Sequence, residues 1–302
     1  MSKQILITGA TGLIGSQLTA LLLQSGHRVA HLGRGRGEKG VPSYVWDVIN
    51  GTIDTHCLDG VDTIVHLAGA NVAERRWTAK RKKEILESRT QSTRLLAEAL
   101  TNNRHSVNTF VSASAIGYYG FDNPEKNFVE TDPPGDDFLA QVTRQWEGEA
   151  DKIGSLGIRT VKVRVGVVLS EGGGALASMA LPIRAGIGSP LGSGLQQVSW
   201  IHADDVCSIF GKAIEDDRWN GPYNAAAGWC TNRELTELIA GILRKSLWAP
   251  AVPAFVLRVV LGEMADVVLN GSKVSSKKVR DAGFGFKFES VETALTDLLA
   301  KS

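Results

Sequence analysis

The chain has 302 residues, 43% of them hydrophobic, and 33 basic against 32 acidic side chains leave a net charge of +1. That length can bury a full core and suits one large α/β domain with an appended lobe. So balanced a charge recommends neither nucleic acid nor an anionic membrane surface as a partner.

Cys57, Cys207 and Cys230 are scattered without metal-ligand spacing and cannot all pair, so they read as reduced thiols. The longest greasy stretch, 249–269, is interrupted by Arg258, Glu263 and Asp266 and fails as a bilayer span. No basic and apolar leader precedes the first strand. Together these features predict a soluble, cytoplasmic protein.

The strongest local signal is QILITGATGLIGS, residues 4–16. An apolar run, Ile5-Leu6-Ile7, feeds a turn with Gly9, Gly12 and Gly15, and a helical pattern follows: strand, phosphate loop, helix. Gly9 permits the tight turn, Gly12 lets the backbone approach a pyrophosphate, and Gly15 brings the helix close to the strand. Thr11, Leu13 and Ile14 complete the loop, whose amides at the helix start would face an anion. Ile14, Leu18, Leu21 and Leu22 form one apolar helical face, and Gly26 stops that helix.

A second strand, 29–32, runs into Gly33-Arg34-Gly35-Arg36, where an acidic residue would hold the ribose hydroxyls of NAD. Arg34 offers planar, charge-assisted hydrogen bonds to a 2′-phosphate instead, with Arg36 adding to the field, so NADP(H) is expected over NAD(H). A third short strand covers 44–47, with Asp47 either near the adenine or capping the strand end. VDTIVHLAG (61–69) reads as a buried parallel strand ending in Leu67-Ala68-Gly69, residues small enough to lie against a nucleotide. A long helix is expected from about Thr78 to Leu100, its basic cluster 80–83 a solvated face.

The spacing TGATGLIG resembles the extended short-chain dehydrogenase/reductases, a superfamily with nucleotide-sugar epimerases and dehydratases among its members. Trp77, Ser88-Arg89 and Thr93-Arg94 narrow the resemblance to its atypical "epimerase family" subgroup. SASAIGYYG (112–120), WEGEA (146–150), VRVGVVL (163–169), GSPLGSG (188–194), WIHADDV (200–206) and AGFGF (282–286) agree, so the resemblance spans the whole chain. It implies NADP contacts from Gly33, Arg34, Leu67, Ala68, Glu84 and Arg89. By analogy Val167 and Val168 line the nicotinamide pocket, within one strand expected over 160–169.

Superfamily members usually carry a Tyr and a Lys four apart on one helix face, the ammonium lowering the phenol's pKa. Here Tyr44, Tyr118, Tyr119 and Tyr223 are followed four later by Val48, Asp122, Asn123 and Ala227. In the helix expected over 136–153, Phe138 and Val142 occupy the Tyr-Lys spacing, and neither can transfer a proton. The resemblance implies that this gap is usual in the subgroup. Ser114, four before Tyr118, stands where the catalytic hydroxyl usually sits, so Ser114 and Tyr118 are the candidates for holding substrate. The bland alternative is a strand cap and packed tyrosines. Arg164, mid-strand among valines, needs a buried partner.

In the second half, 174–187 reads as a helix over the cleft, and GSPLGSG either closes on a substrate or forms a hairpin. Trp200 to Asp205 runs from strand into helix, with one aspartate as the N-cap. His202 is a cleft acid or base, or a packing residue; with two aspartates it has too few ligands for a metal. A last strand is expected over 221–225, a capping box at Thr231 and Glu234, a helix between Pro253 and Gly262, and an amphipathic helix through Leu295, Leu298 and Leu299. The last region resembles the small C-terminal domain of unknown function typical of the subgroup.

The predicted architecture is a doubly wound, parallel-sheet Rossmann-type domain (1–228, with 170–200 contributing to the substrate lobe) and a smaller, partly helical C-terminal lobe (229–302). The predicted function is that of an NADP(H)-dependent oxidoreductase or epimerase-like enzyme acting on a small polar substrate, sugar-derived substrates included. The alternative is a non-catalytic NADP(H)-binding redox sensor or scaffold.

Overall fold

A computed structural model describes residues 2–35, 40–121, 123 and 125–300. Arg36 lies outside the described residues. In chain order the elements are β1 (Gln4–Thr8), α1 (Leu13–Gln24), β2 (Arg28–Gly33), β3 (Ser43–Asp47), β4 (Thr52–Ile53), β5 (Thr63–His66), α2 (Ala79–Asn102), β6 (Thr109–Ala115), β7 (Asn127–Phe128), α3 (Phe138–Gly154), β8 (Arg159–Val165), β9 (Val167–Ser170), α4 (Gly174–Arg184), β10 (Gln197–His202), α5 (Ala203–Glu215), β11 (Gly221–Ala225), β12 (Gly228–Thr231), α6 (Asn232–Ile242), α7 (Ala254–Leu261), α8 (Asp266–Leu269), β13 (Lys273–Val274), α9 (Lys277–Asp281) and α10 (Val291–Leu299). The eight-stranded sheet has the order β11-β8-β6-β5-β1-β2-β3-β4, parallel except for β4.

Strands buried on both faces explain the near-continuous apolar runs. Ile5, Ile7, Val65 and Val111 face one core, shared with Leu18 and Leu22 of α1 and Val206 and Phe210 of α5. Leu6, Ile64 and Phe110 face the other, shared with Leu95 and Leu96 of α2 and Ile153 of α3. The strand order reverses between β1 and β5, which opens a crevice at their carboxyl ends, where such sheets take their ligands.

The strand expected over 160–169 is two strands. β8 stays in the main sheet, whereas β9 joins β10 and β12 in a three-stranded sheet. Gly166 is the break, because a Cβ there would lie 2.7 Å from the Ser199 carbonyl oxygen. Both halves are rich in valine, so composition cannot reveal the change of sheet.

The GSPLGSG segment is tied down rather than folded as a hairpin. Leu191 pairs with Val252 in parallel, and the Leu191 amide donates to Asn232 Oδ1 at 2.8 Å. The chain after α8 closes the molecule. A Cβ on Gly271 would fall 1.8 Å from the Gln197 oxygen, Ser199 Oγ donates to the Ser272 carbonyl at 2.7 Å, and β13 pairs with β7. Pro253 and Gly262 bound α7, and Thr231 and Glu234 form the capping box of α6, both as expected.

Candidate cofactor and active site

The glycine loop has the geometry its spacing predicts. Gly9 has φ +68, and a Cβ there would lie 2.8 Å from the Leu67 carbonyl carbon. Gly15 admits no Cβ either, the nearest atoms being Gly9 O at 2.3 Å and Ala10 Cα at 2.7 Å. Gly12 differs: only Gly9 O stands near, at 3.2 Å, so its outer face is open. Gly12 caps α1 with no side-chain hydrogen bond, and no acidic residue occupies the first turn around Leu13 and Ile14. The helix start therefore presents unpaired amides and the positive end of its dipole, which fits a diphosphate. Arg34 is exposed immediately after Gly33, the last residue of β2.

Beneath the loop lies a residue the sequence reading missed, His66. Thr8 Oγ1 is 2.7 Å from His66 Nδ1 and accepts from the amides of Leu67 (3.2 Å) and Ala68 (3.3 Å). Nε2 meets Ser92 and Thr93, whose hydroxyls already donate to helix carbonyls. Those hydroxyls must therefore accept from Nε2–H, leaving Nδ1 to accept from Thr8. Burial, with a smaller push from Arg89, takes the imidazole down to about 3, so it is neutral. His66 thus fixes the Leu67-Ala68 turn, and the one signal for it was a histidine inside an apolar run.

Arg89 lies under Gly69: a Cβ on that glycine would be 3.1 Å from the guanidinium carbon. The side chain donates to the carbonyls of Ala70 and Ile85, each at 3.0 Å, and stacks on Trp146 at 5.2 Å. Burial, then the nearby Arg81, lowers it to about 10. Glu84 is exposed and bonded to Arg81 at 2.8 Å, which holds its carboxyl below the ordinary range. Val168 pairs with Ile201 in the smaller sheet, two residues past the Gly166 break. Asp47 accepts from the amides of Ile49 (2.9 Å) and Asn50 (3.1 Å), capping the turn after β3.

Beyond β6 the structure assembles a buried polar cluster. Arg164 makes a two-pronged contact with Glu147, Nε to Oε1 at 2.8 Å and Nη2 to Oε2 at 2.9 Å. Ser114 Oγ donates to the same Glu147 Oε1 at 2.6 Å and is 3% exposed. Its hydrogen is thereby committed to the carboxylate. Burial alone would lower the Arg164 guanidinium, but the Glu147 bonds more than reverse this and hold it above its ordinary value. Arg164 also donates to Tyr119 OH at 2.9 Å, and burial pushes that phenol up to about 12. The Tyr118 ring stacks 3.5 Å from the Arg164 guanidinium, and its hydroxyl makes no hydrogen bond to a described residue.

Phe138 is the first residue of α3. Trp77 meets its ring edge-on at 5.0 Å, and the Lys82 ammonium stands 4.9 Å above it. Lys82 pairs with Glu263, in the turn after α7. The turn before α4 also reaches the cofactor loop, with Leu13 Cδ1 3.1 Å from where a Gly173 Cβ would stand. The N-cap of α5 is His202 rather than an aspartate: its Nδ1 accepts from the Asp204 amide at 3.0 Å, while Asp205 accepts from the amides of Lys287 and Phe288. The imidazole fills the cap position first, freeing both aspartates for the first turn. His202 is 2% exposed, stacked on Phe288 at 3.8 Å, and lowered by burial against the pull of Asp204.

This fold and loop belong to a known family. Residues 5–226 match the NAD dependent epimerase/dehydratase family and 252–298 match a domain of unknown function, DUF1731. The chain is a member of that epimerase/dehydratase family. It is 35% identical to the mouse epimerase family protein SDR39U1 over 302 residues, covering 98% of this chain and all of that one. It is 36% identical to YfhF of Bacillus subtilis over 300 residues, 98% of each chain. The crystal structure of human SDR39U1 with NADPH superposes with a TM-score of 0.87 at 33% identity, covering 99% of this chain and 100% of that one.

Proposed function

We propose that the protein binds NADP(H) and acts as an oxidoreductase or epimerase-like enzyme on a small polar substrate in the crevice between its lobes, with sugar-derived compounds the first class to test. The observation that carries the cofactor choice is Arg34, a cation at the end of β2 where an NAD site would carry an acid. The NADPH bound to human SDR39U1 supports it. The cofactor would supply hydride transfer at its nicotinamide. The chain's own residues hold the diphosphate at the start of α1, shape the floor through His66 and Arg89, and offer the Tyr118 hydroxyl to a substrate oxygen, with Ser114 and Glu147 bracing the Arg164 guanidinium behind it.

Phe138 and Val142 favour a second reading, a cofactor-binding redox sensor or scaffold, since a positioned acid commonly contributes about 10²–10⁴ in rate. The test is label transfer: NADPH deuterated at either face of C4 is incubated with the protein and a small-metabolite extract, and products are searched by mass spectrometry. A deuterated product supports the enzyme. Tight NADPH binding without label in any product supports the sensor.

A further inference from the structure

α7 has the composition of a core helix and lies on the surface. Its sequence, AFVLRVVL, is apolar at every position but Arg258, a pattern that normally marks a helix buried on all sides. Yet none of its residues is buried, whereas α10, of similar length, buries Ala294, Leu295, Leu298 and Leu299. Phe255 and Val259 stand one turn apart on the same face. The apolar strip continues along the chain that leads into the helix. Trp248 Nε1 donates to the Gly186 carbonyl at 2.7 Å, one residue from Ile187, and Val252 pairs with Leu191. Ile187, Trp248, Phe255, Val259 and Val260 are between 59% and 73% exposed.

Exposed apolar patches beyond a few hundred Å² mark contact sites, and here size and charge select the occupant. Covering two aromatic rings removes about 150–250 Å² each from water. The three aliphatic side chains and the backbone between them bring the strip toward the roughly 800 Å² per partner that a stable interface buries. Arg258, the one charge on α7, is already paired with Asp266 at 3.6 Å, and Glu263, just past the helix, with Lys82. α7 therefore offers no free charge to choose a charged partner. A second copy presents the same strip, and a two-fold contact sets like against like, which a net charge of +1 barely opposes. We propose that this strip is the interface of a homodimer, α7 and Trp248 of one copy packing on the same strip of another.

The test is sedimentation equilibrium of the whole protein across about 1–100 μM, for wild type, Phe255→Lys, Val259→Lys and a control, Leu156→Lys. Leu156 is also an exposed large hydrophobic, but it follows α3 and lies outside the strip. Wild type and Leu156→Lys should dimerise. Phe255→Lys and Val259→Lys should each weaken the dimer about a hundredfold or more, because a two-fold contact takes up every substitution twice and brings two ammonium groups together. Val259→Ser, which adds no charge, should weaken it less. All these side chains are exposed in the single copy, so the variants should keep the circular dichroism of wild type, which separates lost pairing from lost fold. A wild type that stays monomeric throughout overturns the inference, as does a dimer that all the strip variants leave intact. If wild type is monomeric, flotation with vesicles of phosphatidylcholine and phosphatidylglycerol shows whether lipid is the occupant instead.

Discussion

Gly15→Ala places one methyl group where the structure has no room for it. The new Cβ would stand 2.3 Å from Gly9 O and 2.7 Å from Ala10 Cα, about 1 Å inside ordinary contact. Both atoms are backbone, so no side chain can turn aside, and α1 must lift from the loop together with the buried Leu18 and Leu22. Overpacking of this kind costs about 2–3 kcal/mol. With about 2.1 cal/mol/K of unfolding entropy per residue, the melting temperature should fall by roughly 3–5 °C. The lifted amides should also weaken NADPH about tenfold or more. Gly148→Ala is the control: it lies inside α3 with nothing within 4 Å of its Cβ position, so the same change should stabilise by about 0.5–1 kcal/mol. Thermal melts of both variants with and without NADPH decide the matter. A Gly15→Ala protein that melts at or above wild type refutes the steric argument.

Glu147→Gln should destabilise by about 3–5 kcal/mol, because it leaves Arg164 buried without its anion. Chemical denaturation should find much of that loss recovered in Glu147→Leu/Arg164→Met, and no recovery would mean the pair is not the source. For His66 the folded value of about 3 lies below the ordinary 6.5, so between them the unfolded chain holds a proton that the folded one refuses. Stability should therefore fall as pH drops from about 6.5 toward 3, and less steeply in His66→Asn; parallel slopes in melts across that range would clear His66 of the effect. Arg34→Ala should weaken NADPH about tenfold or more while leaving NADH nearly unchanged, and fluorescence titrations that find equal losses would remove Arg34 from the 2′-phosphate site.

Local chemistry was legible in the sequence, and long-range pairing was not. The glycine loop could be read because each of its requirements acts within a few residues, and the capping box at Thr231 and Glu234 for the same reason. The split at Gly166 could not, because its cause is the Ser199 carbonyl more than thirty residues away. His202 displaced an aspartate as N-cap because three of the four residues 202–205, His202, Asp204 and Asp205, could each accept, and tertiary contacts to Lys287 and Phe288 took one of them. Arg164 announced its need for a partner, but only the structure names Glu147. Lys82 reads as part of a solvated basic stretch until its pairing with Glu263, just after α7, is seen.

That return has a consequence for anyone cutting the chain. Residues 271–275 fill a slot: Gly271 abuts Gln197, Ser272 takes the Ser199 hydroxyl, and the Ser275 amide bonds the Phe128 carbonyl at 2.8 Å. A fragment ending at 270 would bare the edge of β7 and leave Ser199 Oγ, buried in the whole protein, without its acceptor. The C-terminal piece is therefore a wedge rather than a cassette. Grafting it onto another cofactor domain would succeed only where the recipient supplies equivalents of Gln197, Ser199 and Phe128 to receive it.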